Sequence, residues 1–254
     1  MNYSILIPTR FRITFIENLL KSIYDSTLKK EEVEIIIAYD HDDDTTHNII
    51  PNYTTAPIQT CFYRRNRADN INNDYYNWMA LNFAKGKYVI AVNDDTLFEM
   101  YGWDDRAFDK LSNFEKVHPD GIIYGITEDL ERESARQEHN WMACFPLVSK
   151  KAIEVLGYMF DPEFFRDGAD WALGATYRAI ERVVNLRDCI TIKHLSHRSG
   201  RRAWDILDSE SRRFDGISPK ANTFVERNKK ILVNYLNNYY NIPTITNDDK
   251  ESGQ

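Results

Sequence analysis

A chain of 254 residues with 43% hydrophobic and 28% charged residues has the make-up of a globular protein, long enough for one large domain or two small ones. Its formal net charge of -7 leaves no basic excess for phosphates, which argues against a general nucleic-acid binder. The cysteines Cys61, Cys144 and Cys189 are odd in number and far apart, so they form neither a disulfide framework nor a zinc cage and point to a reducing, cytoplasmic setting.

No apolar run is long enough to span a membrane and no basic prelude precedes the first apolar stretch, so neither a transmembrane span nor a signal peptide is expected. Residues 3–7 read as a short strand closed by Pro8, followed by the polar, basic Thr9-Arg10-Phe11-Arg12. Phe15, Leu19, Leu20 and Ile23 recur at helical spacing. A second strand over 33–39 runs into Asp40-His41-Asp42-Asp43-Asp44, and a third apolar run, Ile58 to Tyr63, leads to a loop carrying Arg64, Arg65 and Arg67. The helix expected over about 73–84 puts Tyr76, Met79, Ala80 and Phe83 on one face. Gly86 then opens a strand at 88–92 that ends in Asn93-Asp94-Asp95. Strand and helix alternating in this way predict a parallel sheet covered by helices. Carboxylates are rarely buried alone, so Asp40, Asp94 and Asp95 are expected where open α/β sheets place ligands, at the carboxyl ends of strands.

The second half is less regular. A helix is expected over 102–112, a strand over 121–125 and a charged connection over 127–139. An extended stretch at 140–148 and a helix over 149–156, capped by Gly157, come next. Gly168-Ala169-Asp170 opens a helix running to about 182, with Asp170 in its first turn, where capping is the plain alternative role. A late strand, 189–194, ends beside His194 and His197. A final helix over about 220–238 carries one apolar stripe that is expected to dock on the domain, weak peripheral membrane contact being the alternative. The polar residues 241–254 are expected to be disordered.

Adjacent carboxylates at a strand edge make a hard-oxygen site suited to Mg²⁺ or Mn²⁺, which can hold a diphosphate. Neither G-x-G-x-x-G nor a P-loop motif is present. Asp40 can accept from a base N–H or a ribose hydroxyl, and Arg10, Arg12 and Arg67 can meet phosphate oxygens. A separate carboxylate must take a proton from an attacking hydroxyl; Asp170 is the candidate, with Asp167 as the spare.

The order of these features resembles the GT-A nucleotide-diphospho-sugar transferases, specifically the glycosyltransferase family 2 type. It rests on Ser4-Ile5-Leu6-Ile7-Pro8-Thr9-Arg10, Asp40, Gly86-Lys87-Tyr88 leading to Asn93-Asp94-Asp95, Phe145 to Gly157, Gly168-Ala169-Asp170 and the late histidines. The resemblance covers about 3–200 and implies an α/β GT-A (Rossmann-like) fold, a mixed, mainly parallel sheet covered by helices, with a C-terminal helical extension over 201–240. The nucleotide-binding half falls on about 1–98 and the acceptor-binding half on about 99–200. It implies a metal-dependent inverting transfer from a nucleotide sugar, a UDP-sugar favoured, to a hydroxyl of a glycan, lipid-linked or small-molecule acceptor. Thr9, Arg10 and Asp40 would line the nucleotide pocket, and the D-x-D motif falls on Asn93-Asp94-Asp95. Asp95 would be the metal ligand for Mn²⁺ or Mg²⁺, Asp94 would face the donor, and Asp170 would be the general base. His197 or His194 would complete the metal site, His197 being favoured because it lies beyond the strand. Asn93 and Ala169 depart from the family's usual acidic residues, which weakens the expected metal site and removes a helper beside the base. The competing functions are a sugar-phosphate nucleotidyltransferase, disfavoured by the absence of glycine just after the first strand, and a non-catalytic sugar- or partner-binding domain of the same fold.

Overall fold

The computed structural model describes residues 1–130, 142–164, 168–195 and 221–242. Its centre is a run of four parallel strands: β1 (Tyr3–Thr9), β2 (Val33–Asp40), β3 (Gln59–Arg65) and β4 (Tyr88–Ala91). They lie in the order β3-β2-β1-β4, and the sheet continues through β8 (Leu147–Ser149), β6 (Tyr124–Ile126) and β9 (Val183–Asn185). The pairings of β8 with β4 and with β6 are antiparallel, and that of β6 with β9 is parallel. The expected mixed, mainly parallel sheet is therefore present.

Alternation sorts the strand residues onto two faces. Ile5, Ile7, Ile35, Ile37, Tyr88, Ile90 and Val92 pack under helices α1 (Ile13–Ser26) and α4 (Trp103–Val117). Leu6, Ile36, Ala38, Val89 and Ala91 face the other way. There they meet α3 (Trp78–Asn82), α5 (Lys150–Leu156), α6 (Ala169–Ala179) and α7 (Ala221–Tyr239). Helix α7 buries Phe224, Val225 and Leu232 in this second layer.

Four features differ from the sequence expectation. The short helix α2 (Asp44–Ile49) follows β2 immediately, because Asp43 accepts from the backbone N–H of Thr46 and caps it. The helix expected over 73–84 begins as a π-helical turn, Asn72–Asn77, before α3. Strand β9 has a β-branched pair, Val183-Val184, too short to stand out from a loop. A second, three-stranded sheet forms from β5 (Thr96–Phe98), β10 (Thr191–His194) and β7 (Glu128–Asp129). The last of these strands lies inside the stretch expected to be a charged connection.

Gly86 marks the point where the chain enters β4 at close quarters. A Cβ there would stand 2.5 Å from the backbone N of Ser4 and from the carbonyl carbon of Tyr3. The absent side chain lets the Gly86 N–H donate to the Ser4 hydroxyl oxygen at 2.8 Å, while that hydroxyl donates to the buried Glu34 at 2.6 Å. The second acceptor role of Glu34 is filled by the Lys85 N–H. These bonds lock the amino ends of β1, β2 and β4 together, at the edge opposite the acidic cluster.

Candidate active site

The strand register assembles the site. Thr9 pairs with Tyr39 across β1 and β2, so the next residues, Arg10 and Asp40, leave the sheet side by side. Leu6 pairs with Ala91 across β1 and β4, and carrying that register forward three residues brings Thr9 opposite Asp94. The strand order reverses direction between β1 and β4, which is the switch point where open α/β sheets hold ligands.

The turn after β1 is built to spread two arginines. Phe11 sits at φ 53°, a left-handed conformation that L side chains seldom adopt, and its N–H donates to Asp43 at 2.7 Å. On one side of this turn Arg10 Nε lies 3.0 Å from Asp40 Oδ2. On the other, Arg12 Nη1 donates to Asp94 Oδ1 at 3.1 Å and lies 3.9 Å from Asp95 Oδ2. The Thr9 hydroxyl donates to the other oxygen of Asp94 at 2.9 Å.

All three carboxylates are buried: Asp40 is 2% exposed, and Asp94 and Asp95 are 4% exposed. Burial raises Asp40 to about 6, against the lowering influence of Arg10 and, more distantly, Arg67. Burial also raises Asp94, with the neighbouring Asp95 adding to it, while Arg12 and Thr9 pull the other way. For Asp43 burial is outweighed by hydrogen bonds from Thr45, Thr46 and Phe11, and its carboxyl is held below the usual range. Asp43 is thus a structural anchor of the β1 and β2 turns.

The second sheet delivers the histidine. Strand β5 follows Asp95 directly and pairs antiparallel with β10, placing His194 opposite Thr96. The Leu195 N–H extends that ladder to the Asp95 carbonyl at 2.7 Å. His194 Nε2 consequently stands 3.2 Å from Asp95 Oδ1, with the Phe145 ring edge-on to the imidazole. His197, favoured over His194 from sequence, lies outside the described residues, as does Asp167. Among the described residues no set of three or more His, Cys, Asp or Glu side chains forms a complete metal cage. The Asp95 carboxylate and the His194 imidazole set an oxygen and a nitrogen donor side by side.

Two tyrosines that the sequence did not single out as site residues enter from the π-helical turn. The Tyr75 hydroxyl donates to Asp40 Oδ1. The Tyr76 hydroxyl lies 2.9 Å from both the Val92 carbonyl and the Asn93 side-chain oxygen. The amide of Asn93, expected to stand in for a metal- or ribose-binding carboxylate, is thus already tied to Tyr76. Burial raises the Tyr76 hydroxyl well above its ordinary range, with Asp94 and Asp95 adding to it, so it stays a neutral donor. The available signal was the run Asn70 to Asn77, whose four asparagines are poor formers of a regular helix. Of the arginines after β3, Arg65 stacks over Trp78 at 4.0 Å and donates to the Asp74 carbonyl, a structural position. Arg67 is close enough to Asp40 to lower its pKa.

Asp170 occupies the first turn of α6, after Gly168 at φ 87°, and its Oδ1 accepts from the Trp171 N–H at 2.9 Å. The segment leading to it is pinned by asparagines. Asn77 accepts from the Met159 and Phe160 N–H groups, both at 2.9 Å, and donates to the Phe160 carbonyl at 2.7 Å. Asn70 and Asn72 donate to the carbonyls of Pro162 and Phe164. The turn that carries Tyr75 and Tyr76 therefore also holds the approach to Asp170.

The profile described as glycosyl transferase family 2 matches residues 4–174. The chain belongs to glycosyl transferase family 2. That span contains β1, β2, β4, the acidic cluster and Asp170, and glycosyl transfer is the family's activity. Known folds agree. S. aureus TarS 1-349 in complex with UDP-GlcNAc is similar at TM-score 0.63 and 14% identity, over 98% of this chain and 78% of that one. The mannosyltransferase PcManGT from Pyrobaculum calidifontis, in complex with GDP-Man and Mn²⁺, is similar at TM-score 0.59 and 17% identity, over 96% and 76%. GalNAc-T7 with UDP, GalNAc and Mn²⁺ reaches TM-score 0.59 at 12% identity, over 94% and 50%. No curated protein sequence matches the chain. Among the described residues no helix is long and apolar enough to cross a membrane.

Proposed function

We propose that this family 2 enzyme moves a sugar from a nucleotide-diphospho-sugar, a UDP-sugar in preference, to an acceptor hydroxyl with inversion at the anomeric carbon. The observation that carries the reading is the convergence of Asp40, Arg10, Arg12, Thr9, Asp94 and Asp95 on the carboxyl edge of β1, β2 and β4. Complexes of fold relatives with UDP-GlcNAc and with GDP-Man and Mn²⁺ support it.

In this reading Asp40 accepts an N–H of the base, and Arg10 and Arg67 balance its charge. Thr9 and Arg12 fix the Asp94 carboxylate, which accepts from donor hydroxyls, with Asn93 held beside it by Tyr76. Asp95, with His194 or His197, would hold Mn²⁺ or Mg²⁺. That ion, when bound, supplies positive charge to the diphosphate as it leaves. Asp170 takes the proton of the acceptor hydroxyl, and the positive end of the α6 dipole favours its ionised form. We assign residues 1–98 to the donor half, 99–200 to the acceptor half and 201–240 to an extension packed on them.

A panel of nucleotide sugars, assayed for nucleotide release and transfer with Mn²⁺ or Mg²⁺, tests the assignment. Turnover is expected with a UDP-sugar, with a fall of about a thousandfold in Asp170→Asn that leaves donor binding intact. Full turnover by Asp170→Asn would remove it as the base.

A further inference from the structure

We propose that Tyr75 is a specificity-determining residue, selecting a uracil base over a guanine base by occupying one oxygen of Asp40. The inference rests on the donor-site reading given above and deepens it.

Asp40 is buried; its Oδ1 accepts from the Tyr75 O–H, and its Oδ2 is ion-paired with Arg10, whose Nε lies 3.0 Å away. A carboxylate with both oxygens open pairs well with two parallel N–H donors. The pairing edge of guanine offers such a pair, its ring N–H beside its exocyclic amine. With the Tyr75 proton committed to Oδ1, Asp40 instead presents Oδ2, beside the Arg10 guanidinium, as its remaining acceptor. The edge of uracil has one N–H, between two carbonyl oxygens, and needs only that one acceptor. The carboxylate thus supplies the acceptor for any base, and the tyrosine decides how many donors it can take.

The π-helical turn fixes this arrangement. Tyr75 and Tyr76 are consecutive and both buried, yet one reaches the end of β2 and the other the end of β4. Asn70 and Asn72 tie the same turn to the carbonyls of Pro162 and Phe164, and Asn77 ties it to the backbone of Met159 and Phe160. The hydroxyl is therefore held on Asp40 by the fold.

Calorimetric titration of the full chain with UDP and with GDP, in Mn²⁺ at pH 7.5, tests the proposal on wild type, Tyr75→Phe and Asp40→Ala. Tyr75→Phe keeps the buried ring, and its circular dichroism and thermal midpoint report whether the fold is retained. Wild type is expected to bind UDP at least about tenfold tighter than GDP, and Tyr75→Phe to reduce that ratio about tenfold, chiefly by binding GDP better. Asp40→Ala is expected to weaken both nucleotides. An unchanged UDP/GDP ratio in Tyr75→Phe, or a wild type that prefers GDP, overturns the role of Tyr75 while leaving the donor site standing if Asp40→Ala still weakens binding. Absence of binding by either nucleotide, or full binding by Asp40→Ala, overturns the donor-site reading and this inference with it.

Discussion

Asp40 carries a raised pKa of about 6 because it is buried, and the sign of its effect on stability follows. In the folded chain it holds its proton to higher pH than in the unfolded chain, where it titrates near 3.8. Its contribution to stability is therefore fully present below pH 3.8 and is lost as pH rises through about 6. Thermal midpoints of wild type and Asp40→Asn across pH 4 to 7 should show wild type losing stability relative to the variant over that window. A constant difference would mean that Asp40 titrates at its ordinary value. The acceptor role proposed for Asp40 needs the ionised form, so nucleotide affinity should weaken as pH falls below about 6, a step that Asp40→Asn lacks. Residue types at strand ends were readable from the sequence, because a carboxylate straight after an apolar run has few other places to go. The partners were not: Tyr75 on Asp40 and Tyr76 beside Asn93 depend on a π-helical turn that no periodicity announces.

At the scale of elements, two small features hold the site's frame. Gly86→Ala puts a methyl group 2.5 Å from the backbone of β1, where only a shift of the strand can relieve it. It should cost about 3 kcal/mol in chemical denaturation; a loss below 0.5 kcal/mol, the range of neutral surface substitutions, would show that the approach is slack. Asn77→Ala strips partners from two N–H groups and one carbonyl of residues 159–160. It should cost about 3 kcal/mol, or roughly 10 °C in thermal midpoint, and lower turnover more than donor affinity, because it loosens the approach to Asp170. Equal losses in both would place the effect in the fold as a whole. The parallel strands and long helices were legible because their apolar spacing is strong. Strands β5, β7 and β9 span only two or three residues, so pairing partners far along the chain decide them. The His194 to Asp95 contact depends on one such pairing and could not be read from local pattern.

For the whole molecule, the carboxyl edge of the main sheet and the end of β10 bring together residues from positions 9 to 194, so the proposed donor chemistry requires most of the chain to fold together. We propose that this edge is a metal-dependent nucleotide site organised around Asp95. Calorimetric titration of UDP into wild type, with Mn²⁺ and then with EDTA, and into Asp95→Ala, tests it most directly. The account predicts binding by wild type in Mn²⁺ and affinity at least about tenfold weaker both in EDTA and in Asp95→Ala. Equal UDP affinity in all three would contradict it.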